Sequence, residues 1–580
     1  MHAAQIYEHA ESTSEPHPSL TLNSLNDDLL REIFDWVAVL EPYQRLGYWE
    51  PFWNGLGWIR LGHVCHGWRV LLRRMPVLWG RIALCNDGAP PMATRTLLRR
   101  SRGAPLDVTL NQPERHNRND LEARERHFVA VMKTAVGFAT RLRTLTASGV
   151  YPQDLAHFFY RKSLPMLQRL HIAHSGYVPG DFNGNFTMDA CNLVSASFDL
   201  WGYGLPMASR AQKGFSLDFP NLRRLAVEWS YMSGRNTTME DLRWIASAIR
   251  NAPLIEDLDI DLGFWHFDGD WRNLFEDQTA HLEHLKRLSL TQRSMKMRTG
   301  EFLAHICPSP PPSVTFTARY ISRADVAPLV RVYEPYLRSA ASYSTMYIRF
   351  RHPMWVLIHL LPSPGDVGVL SEEKLYGPMS NRLRRASEDN LPQLDRQMTL
   401  SLSTFSNLTL ANEVLVDLAP RLHLANLTHL HIDGKVNPKG WWSAFRRLVA
   451  PRMSSVHTLI IDNLSWLYAK YGDMNALGIL DPDPSFSTFD PPLPILQTLI
   501  ITAWVTGTKA RKRPWLFYLL LFLMHRKEIG LPIHTVHLRG GWMTDELRAV
   551  WTDMDRNIIE HIAAVVGEVL DERTVFRGEG

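Results

Sequence analysis

Cysteine is scarce in this chain: four in 580 residues, Cys65, Cys85, Cys191 and Cys307, with no CxxC pair among them. That spacing argues against a disulfide framework and against a structural zinc module, and it fits a reducing compartment, cytosol or nucleus. Long apolar runs are missing too. Trp515–Met524 and Met354–Leu361 reach at most about half of the ~20 residues a membrane span needs, so both are expected as buried helix or strand and no membrane anchor is expected. The first twenty residues, MHAAQIYEHAESTSEPHPSL, lack the apolar stretch of a secretory leader, and their polar, Pro-punctuated character predicts a disordered tail over 1–20. Excess charge of one sign is also absent. With 63 basic against 59 acidic residues the net charge is +4, which does not support a global electrostatic grip on nucleic acid. Catalytic signatures are wanting as well: there is no GxGxxG, Walker A loop, HExxH or GxSxG. Neither an enzymatic activity nor a cofactor is expected.

What is present is an ordinary globular composition, 45% hydrophobic, with a high count of 19 tryptophans whose faces need burial or a partner. A chain this long exceeds one hydrophobic core and must divide or stack as an array. The stretch Ser24–Leu84 stands apart from everything after it. Asn26 occupies a helix N-cap position, Asp27 and Asp28 follow in the first turn, and Leu29, Leu30, Ile33, Phe34 and Val37 recur at helical spacing. Residues 41–58 interrupt with prolines, glycines and six aromatics (Tyr43, Tyr48, Trp49, Phe52, Trp53, Trp58). They suit either a loop packed down by its own rings or an exposed contact surface. A second stripe, Leu61, Val64, Cys65, Trp68, Leu71 and Leu72, runs to Pro76, and Leu78-Trp79 closes the unit.

This pattern, SLNDDLLREIF…LGHVCHGWRVLL…PVLWGRI, resembles the F-box, a small helical module, in the form that heads the large F-box families of fungi. The family's opening Leu-Pro is Leu25-Asn26 here, and Gly62 and His66 replace a more usual serine and basic residue. The matches fall at Leu29, Leu30, Ile33 and Phe34, at Leu61, Val64, Cys65 and Trp68, and at Leu78 and Trp79. The resemblance implies that 21–84 binds the small adaptor subunit of a cullin–RING ubiquitin ligase. Leu25, Asn26, Leu29, Leu30, Ile33, Phe34, Leu61, Val64, Cys65 and Trp68 are the residues it points to.

Beyond 84 the unit is helix, turn, short strand. A helix over Met92–Arg100 precedes Gly103 and an alternating segment at 105–110. The core aliphatic-x-x-aliphatic-x-aliphatic then recurs at Leu167/Leu170/Ile172, Leu222/Leu225/Val227, Ile255/Leu258/Ile260 and Leu285/Leu288/Leu290. It continues at Leu427/Leu430/Ile432, Val456/Leu459/Ile461, Leu496/Leu499/Ile501 and Ile533/Val536/Leu538. Most intervals are about 30–40 residues, near the length of leucine-rich repeats. The wide gap from Leu288 to Leu430 holds candidate strands at Val314–Ile321, Thr345–Phe350 and Met398–Leu402. The expected fold class is α/β: an all-helical head on 21–84, then an irregular leucine-rich-repeat-like helix-strand solenoid over 85–543. An ordinary α/β domain with a parallel sheet is the alternative. Loops are expected near 307–313, 362–395 and 479–494, and a C-terminal capping helix and tail over 544–580.

His63, Cys65 and His66 diverge around a helix, so a core cysteine with exposed histidines is expected rather than a metal. Asp257, Asp259, Asp261, Asp268 and Asp270 lack EF-hand spacing and suit a solvated strand face. Arg511-Lys512-Arg513 suits a helix flank better than an import signal, and Arg384-Arg385-Ala386-Ser387 is a weak kinase-site pattern. Because strand side chains alternate, the neighbours of the aliphatic positions should line one exposed face. Arg169, His171, Arg224, Glu228, Asp257, Asp259, Asp261, Arg287, His429, His431 and Asp433 are the candidate target-binding residues there. Their mixed charge suits recognition of a target protein, or simply a wet sheet face, rather than nucleic acid. The expectation is a substrate receptor of a ubiquitin ligase in cytoplasm or nucleus. The alternative is a non-catalytic scaffold whose head packs intramolecularly as a cap, burying Leu29, Ile33 and Trp68 against 85–150.

Overall fold

A computed structural model describes residues 25–41, 52–81, 84–85, 91–111, 121–148, 159, 162–175, 188–201, 219–230, 239–261, 271–275, 278–280, 282–292, 299–306, 313–318, 323–338, 343–352, 355–363, 397–403, 415–433, 441–462, 476–480, 492–505, 515–542 and 544–575. The chain forms two compact units, 1–148 with 162–167, and 149–161 with 168–580.

In the first unit, helix α1 (Asp27–Leu40) begins where the cap chemistry places it, the Asn26 side chain accepting from Leu29 N–H at 2.8 Å. The second stripe starts later than its apolar spacing suggests. Residues Phe52–His63 are 3₁₀-helical, and helix α2 spans His66–Arg73 with Cys65 outside it as N-cap, its sulfur accepting from Trp68 N–H. Helix α3 (Pro76–Gly80) has proline at its first position, where the missing N–H costs nothing. Leu30, Phe34 and Ala38 on α1 meet Trp58, Trp68, Leu71, Leu72, Met75, Leu78 and Trp79 in one buried cluster. Of the aromatic insertion, Trp58 belongs to this core, edge-on to Trp79 at 5.2 Å; Tyr43, Tyr48 and Trp49 lie outside the described residues. A helix at Pro91–Ser101 continues the packing through Leu97, and strands β1 (Leu84–Cys85), β2 (Leu106–Asn111) and β3 (Leu142–Ser148) pair in parallel in that order.

The second unit is a long, solenoid-like sheet with strands and helices alternating along the chain. In chain order the strands begin with β4 (Arg169–Ser175), β5 (Ser195–Trp201), β6 (Arg224–Ser230), β7 (Asp257–Asp261), β8 (Arg287–Gln292) and β9 (Ser313–Ala318), each paired with the next. Beside β9 lies β12 (Gln397–Ser403), then β11 (Trp355–Leu361), then β10 (Thr345–His352). β13 (His429–Asp433), β14 (Thr458–Asp462), β15 (Thr498–Val505) and β16 (Thr535–Trp542) follow, and β17 (Glu568–Asp571) and β18 (Thr574–Val575) share the far edge of β16. Every pairing is parallel except those of β11, which runs against both neighbours. The gap between Leu288 and Leu430 therefore contains a reversed strand, WVLIHLL, buried on both sides from Val356 to Leu361.

The eight aliphatic triads are all buried, the first member in the turn and the other two in the strand. Helices cover that side: Trp244 of Met239–Arg250 meets Phe198 of β5 edge-on at 5.1 Å, and Tyr333 of Arg323–Arg338 stacks on Phe316 of β9 at 3.9 Å. At the strand entries one carbonyl accepts two N–H groups from the next strand. Glu256 and Asp257 both donate to Arg223 O, Lys286 and Arg287 to Glu256 O, and Thr428 and His429 to Ser344 O. The turn backbone is thereby satisfied largely by the main chain, with the Thr428 hydroxyl adding a further bond to Ser344 O at 3.1 Å. β3, β5, β17 and β18 were not expected from sequence. Ala196 and Phe198 replace the aliphatic pair in β5, and the C-terminal helix Asp545–Val565 is followed by sheet rather than by a tail alone. Gly541, at φ +134, admits that edge: a Cβ there would lie 1.9 Å from Thr574 O.

Candidate functional site

Two surfaces carry the residues singled out above. On the head they separate by which way α1 turns them. Leu30, Phe34 and Trp68 are core, with the Phe34 and Trp68 rings 5.1 Å apart edge-on. Leu25, Leu61 and Cys65 are partly buried against that core, and Asn26 is spent on its cap bond. Leu29, Ile33 and Val64 face solvent, Leu29 at 48% exposure. Three residues that sequence reasoning passed over share this exposure: Trp36 at 61%, Val39, and Leu40 at 75%. Their signal was available, since 29, 33, 36 and 40 follow helical spacing; the single stripe expected for α1 is in fact two, one inward and one outward.

On the sheet, the face opposite the aliphatic triads is not uniformly wet. Glu228, Asp261, His431 and Asp433, expected to be exposed, are buried. Parallel register sets equivalent positions on successive strands side by side, which pairs opposite charges in some rows and gathers like ones in another, where Asp199, Glu228 and Asp261 form a row of three buried acids. Arg224 and Arg287 flank Asp257 at 3.4 and 3.0 Å, and Arg349 reaches Asp433 at 3.2 Å. His431 Nε2 bonds Asp462 Oδ2. Burial alone would raise the Asp462 carboxyl, yet the hydrogen bond and charge of His431, the Thr502 hydroxyl and the Arg539 charge hold it below the usual carboxylate range. Arg169 is exposed, while His171 and Asp259 are half-buried. His429 is half-buried, its Nδ1 2.9 Å from Thr428 Oγ1 and its ring edge-on to His457, and burial followed by the His457 charge lowers its pKa. At the strand entries Glu256 sits between Lys286 and Arg223, which lower its pKa, the Lys286 hydrogen bond most.

Sequence reasoning missed the centre of this face. Tyr347, His359 and Thr399 fall in the same cross-strand row as His431, through the β10–β13, β10–β11 and β11–β12 registers. Tyr347 lies against both histidine rings, at 5.7 Å from His359 and 4.9 Å from His431. His359 Nδ1 pairs with Thr399 Oγ1 at 2.8 Å, and burial, then Arg349, pushes its pKa down to about 3, so the ring is neutral. The alternation in β10 and β12 was visible, but nothing local showed that β11 would lie between them.

Among the described residues no group of three or more His, Cys, Asp or Glu side chains is placed to hold a metal, and no helix is long and apolar enough to cross a membrane. His63 and His66 are exposed and Cys65 is half-buried. Asp268, Asp270, Arg384–Ser387 and Arg511–Arg513 lie outside the described residues. Compared with known proteins, the chain matches no family model and no curated protein.

Proposed function

We propose that this protein is a substrate-receptor subunit of a cullin–RING ubiquitin ligase. Its F-box-like head docks the ligase's small adaptor, and its leucine-rich-repeat-like body holds a target protein, with no bond chemistry of its own. The observation that carries the reading is the double face of α1. A helix needs one apolar stripe to join its own core, and Leu30, Phe34 and Ala38 supply it. The second stripe, Leu29, Ile33, Trp36 and Leu40, has no such use within the head and stays in solvent, at positions that include two of the F-box matches. The mixed-charge, ring-bearing face of the sheet suits the target role, with Arg169, His171, Asp259 and His429 as its more open members.

The scaffold alternative draws on the other side of the head. Leu97 packs on the head cluster, Arg100 lies over the Trp79 ring at 4.6 Å, and a Cβ on Gly80 would meet Pro105 O at 2.2 Å. Those contacts serve either reading; Leu29 and Ile33, which the capping alternative buries, are exposed. Co-purification of the full-length protein with the purified adaptor separates the two. A stable complex is expected, and a folded full-length protein that retains no adaptor sinks the ligase reading.

A further inference from the structure

We infer that the first unit carries a separate docking surface, a field of arginines on α2 and the Pro91–Ser101 helix that takes an extended acidic segment of a partner protein, a run of aspartate and glutamate side chains. This surface goes beyond the adaptor reading and does not depend on it. The span 66–104 holds eight arginines and no lysine against one acid, Asp87, whereas the whole chain nets only +4. The rest of the chain is therefore net acidic, and the basic charge is concentrated here.

Two helices bring the charges together. Arg69 and Arg73 stand one turn apart on α2, with Arg74 at its cap, and Arg95 and Arg99 repeat that spacing on the Pro91–Ser101 helix, with Arg100 next in the chain. Helix α3 lies between them in the chain and packs on the second, where Arg100 covers the Trp79 ring at 4.6 Å. Burial, then the charges of Arg73 and Arg99, lower the Arg100 pKa, so arginines of both helices crowd one another. All six but Arg100 are exposed. The arginines of this unit with acid partners are Arg31, Arg60, Arg81 and Arg143, on Asp28, Glu41, Asp35 and Asp107; among the described residues these six have none. Folding accounts for part of the pattern. Arg73 and Arg99 lie in last turns, where cations suit the helix dipole, and Arg69 donates to Gly62 O at 2.8 Å. It does not account for the want of acids, because like charges one turn apart cost a helix stability that a glutamate in either place would restore.

The spread of charge points to the kind of partner. Arginine forks match carboxylates, and cations laid out over two helices suit a string of carboxylates rather than a single phosphate, which needs its donors converged on one point. Val77, exposed at 41% on α3, offers an apolar side chain of the segment a place to sit. Nucleic acid fits less well. Trp68 and Trp79, the tryptophans of these helices, are buried and give bases nothing to stack on, and the net acidic remainder of the chain opposes a long polyanion.

The test measures binding of a fluorescent peptide of about eight glutamates, long enough at ~3.4 Å per residue to cross both helices, to the full-length protein at low salt. Arg73→Gln and Arg99→Gln should each weaken binding about threefold and together about tenfold or more, and added salt should weaken it steeply. Arg548→Gln, the same charge change at an exposed position of the C-terminal helix, should leave it unchanged. Unfolding midpoints should stay close to that of the wild type, because these side chains are exposed. No peptide binding by the wild type, or a double variant that binds as the wild type does, would overturn the inference. So would tighter binding of duplex DNA or of phosphatidylserine vesicles than of the peptide at equal salt, or displacement of the peptide by inorganic phosphate well beyond that by chloride at equal ionic strength. Each of those results leaves the adaptor reading standing, since none of them involves the outward stripe of α1.

Discussion

Arg349 Nε lies 3.2 Å from Asp433 Oδ2 across the β10–β13 register, and both side chains have almost left solvent. Such a pair contributes little over two well-packed apolar residues, because desolvation offsets the attraction, but breaking it strands a buried charge. Arg349→Met or Asp433→Asn is therefore expected to cost about 3–5 kcal/mol, and Arg349→Met combined with Asp433→Leu to recover most of that loss. Denaturant unfolding followed by tryptophan fluorescence checks it. Additive losses in the double variant would mean that the two side chains do not act as a pair.

His359 makes the central part of the sheet sensitive to acid. Its folded pKa is about 3, lowered chiefly by burial, against an ordinary value of 6.5. An unfolded chain then binds a proton that the folded one refuses, so stability is complete above about pH 6.5 and falls as pH drops from there toward the folded value. The expected slope is at most ~1.4 kcal/mol per pH unit from this one ring. His359→Gln, which keeps a polar partner for Thr399, should flatten the dependence of the unfolding midpoint on pH between about 6 and 4. An unchanged slope would show that the ring is not buried in solution.

Leu29 and Leu30 are chain neighbours with opposite fates. Leu30→Ala empties part of the head core and is expected to destabilise the head by about 2–5 kcal/mol. Leu29→Ala, on the outward stripe, should change stability by less than about 0.5 kcal/mol. Thermal unfolding of the two variants side by side decides it. Equal losses would mean that α1 is rotated from the orientation described above.

Local sequence determined a good deal of this protein. Asn26 and the two aspartates after it set the start of α1, because capping depends on atoms three residues apart. The aliphatic triads from Leu167 to Leu538 mark strands that enter a core, since alternation along a strand is a property of the strand itself. Tertiary structure decided the rest. Which of two adjacent leucines on α1 faces inward depended on where α2 and α3 placed Trp68, Leu72 and Leu78. The reversal of β11, and with it the row that joins His359, Tyr347 and His431, depended on which strands became neighbours across long stretches of chain. Burial of Glu228, Asp261, His431 and Asp433 likewise had no local sign, for a charged side chain gives up water only when groups from elsewhere in the chain surround it. Periodicity reports which way a side chain points; only lateral packing determines what it meets there.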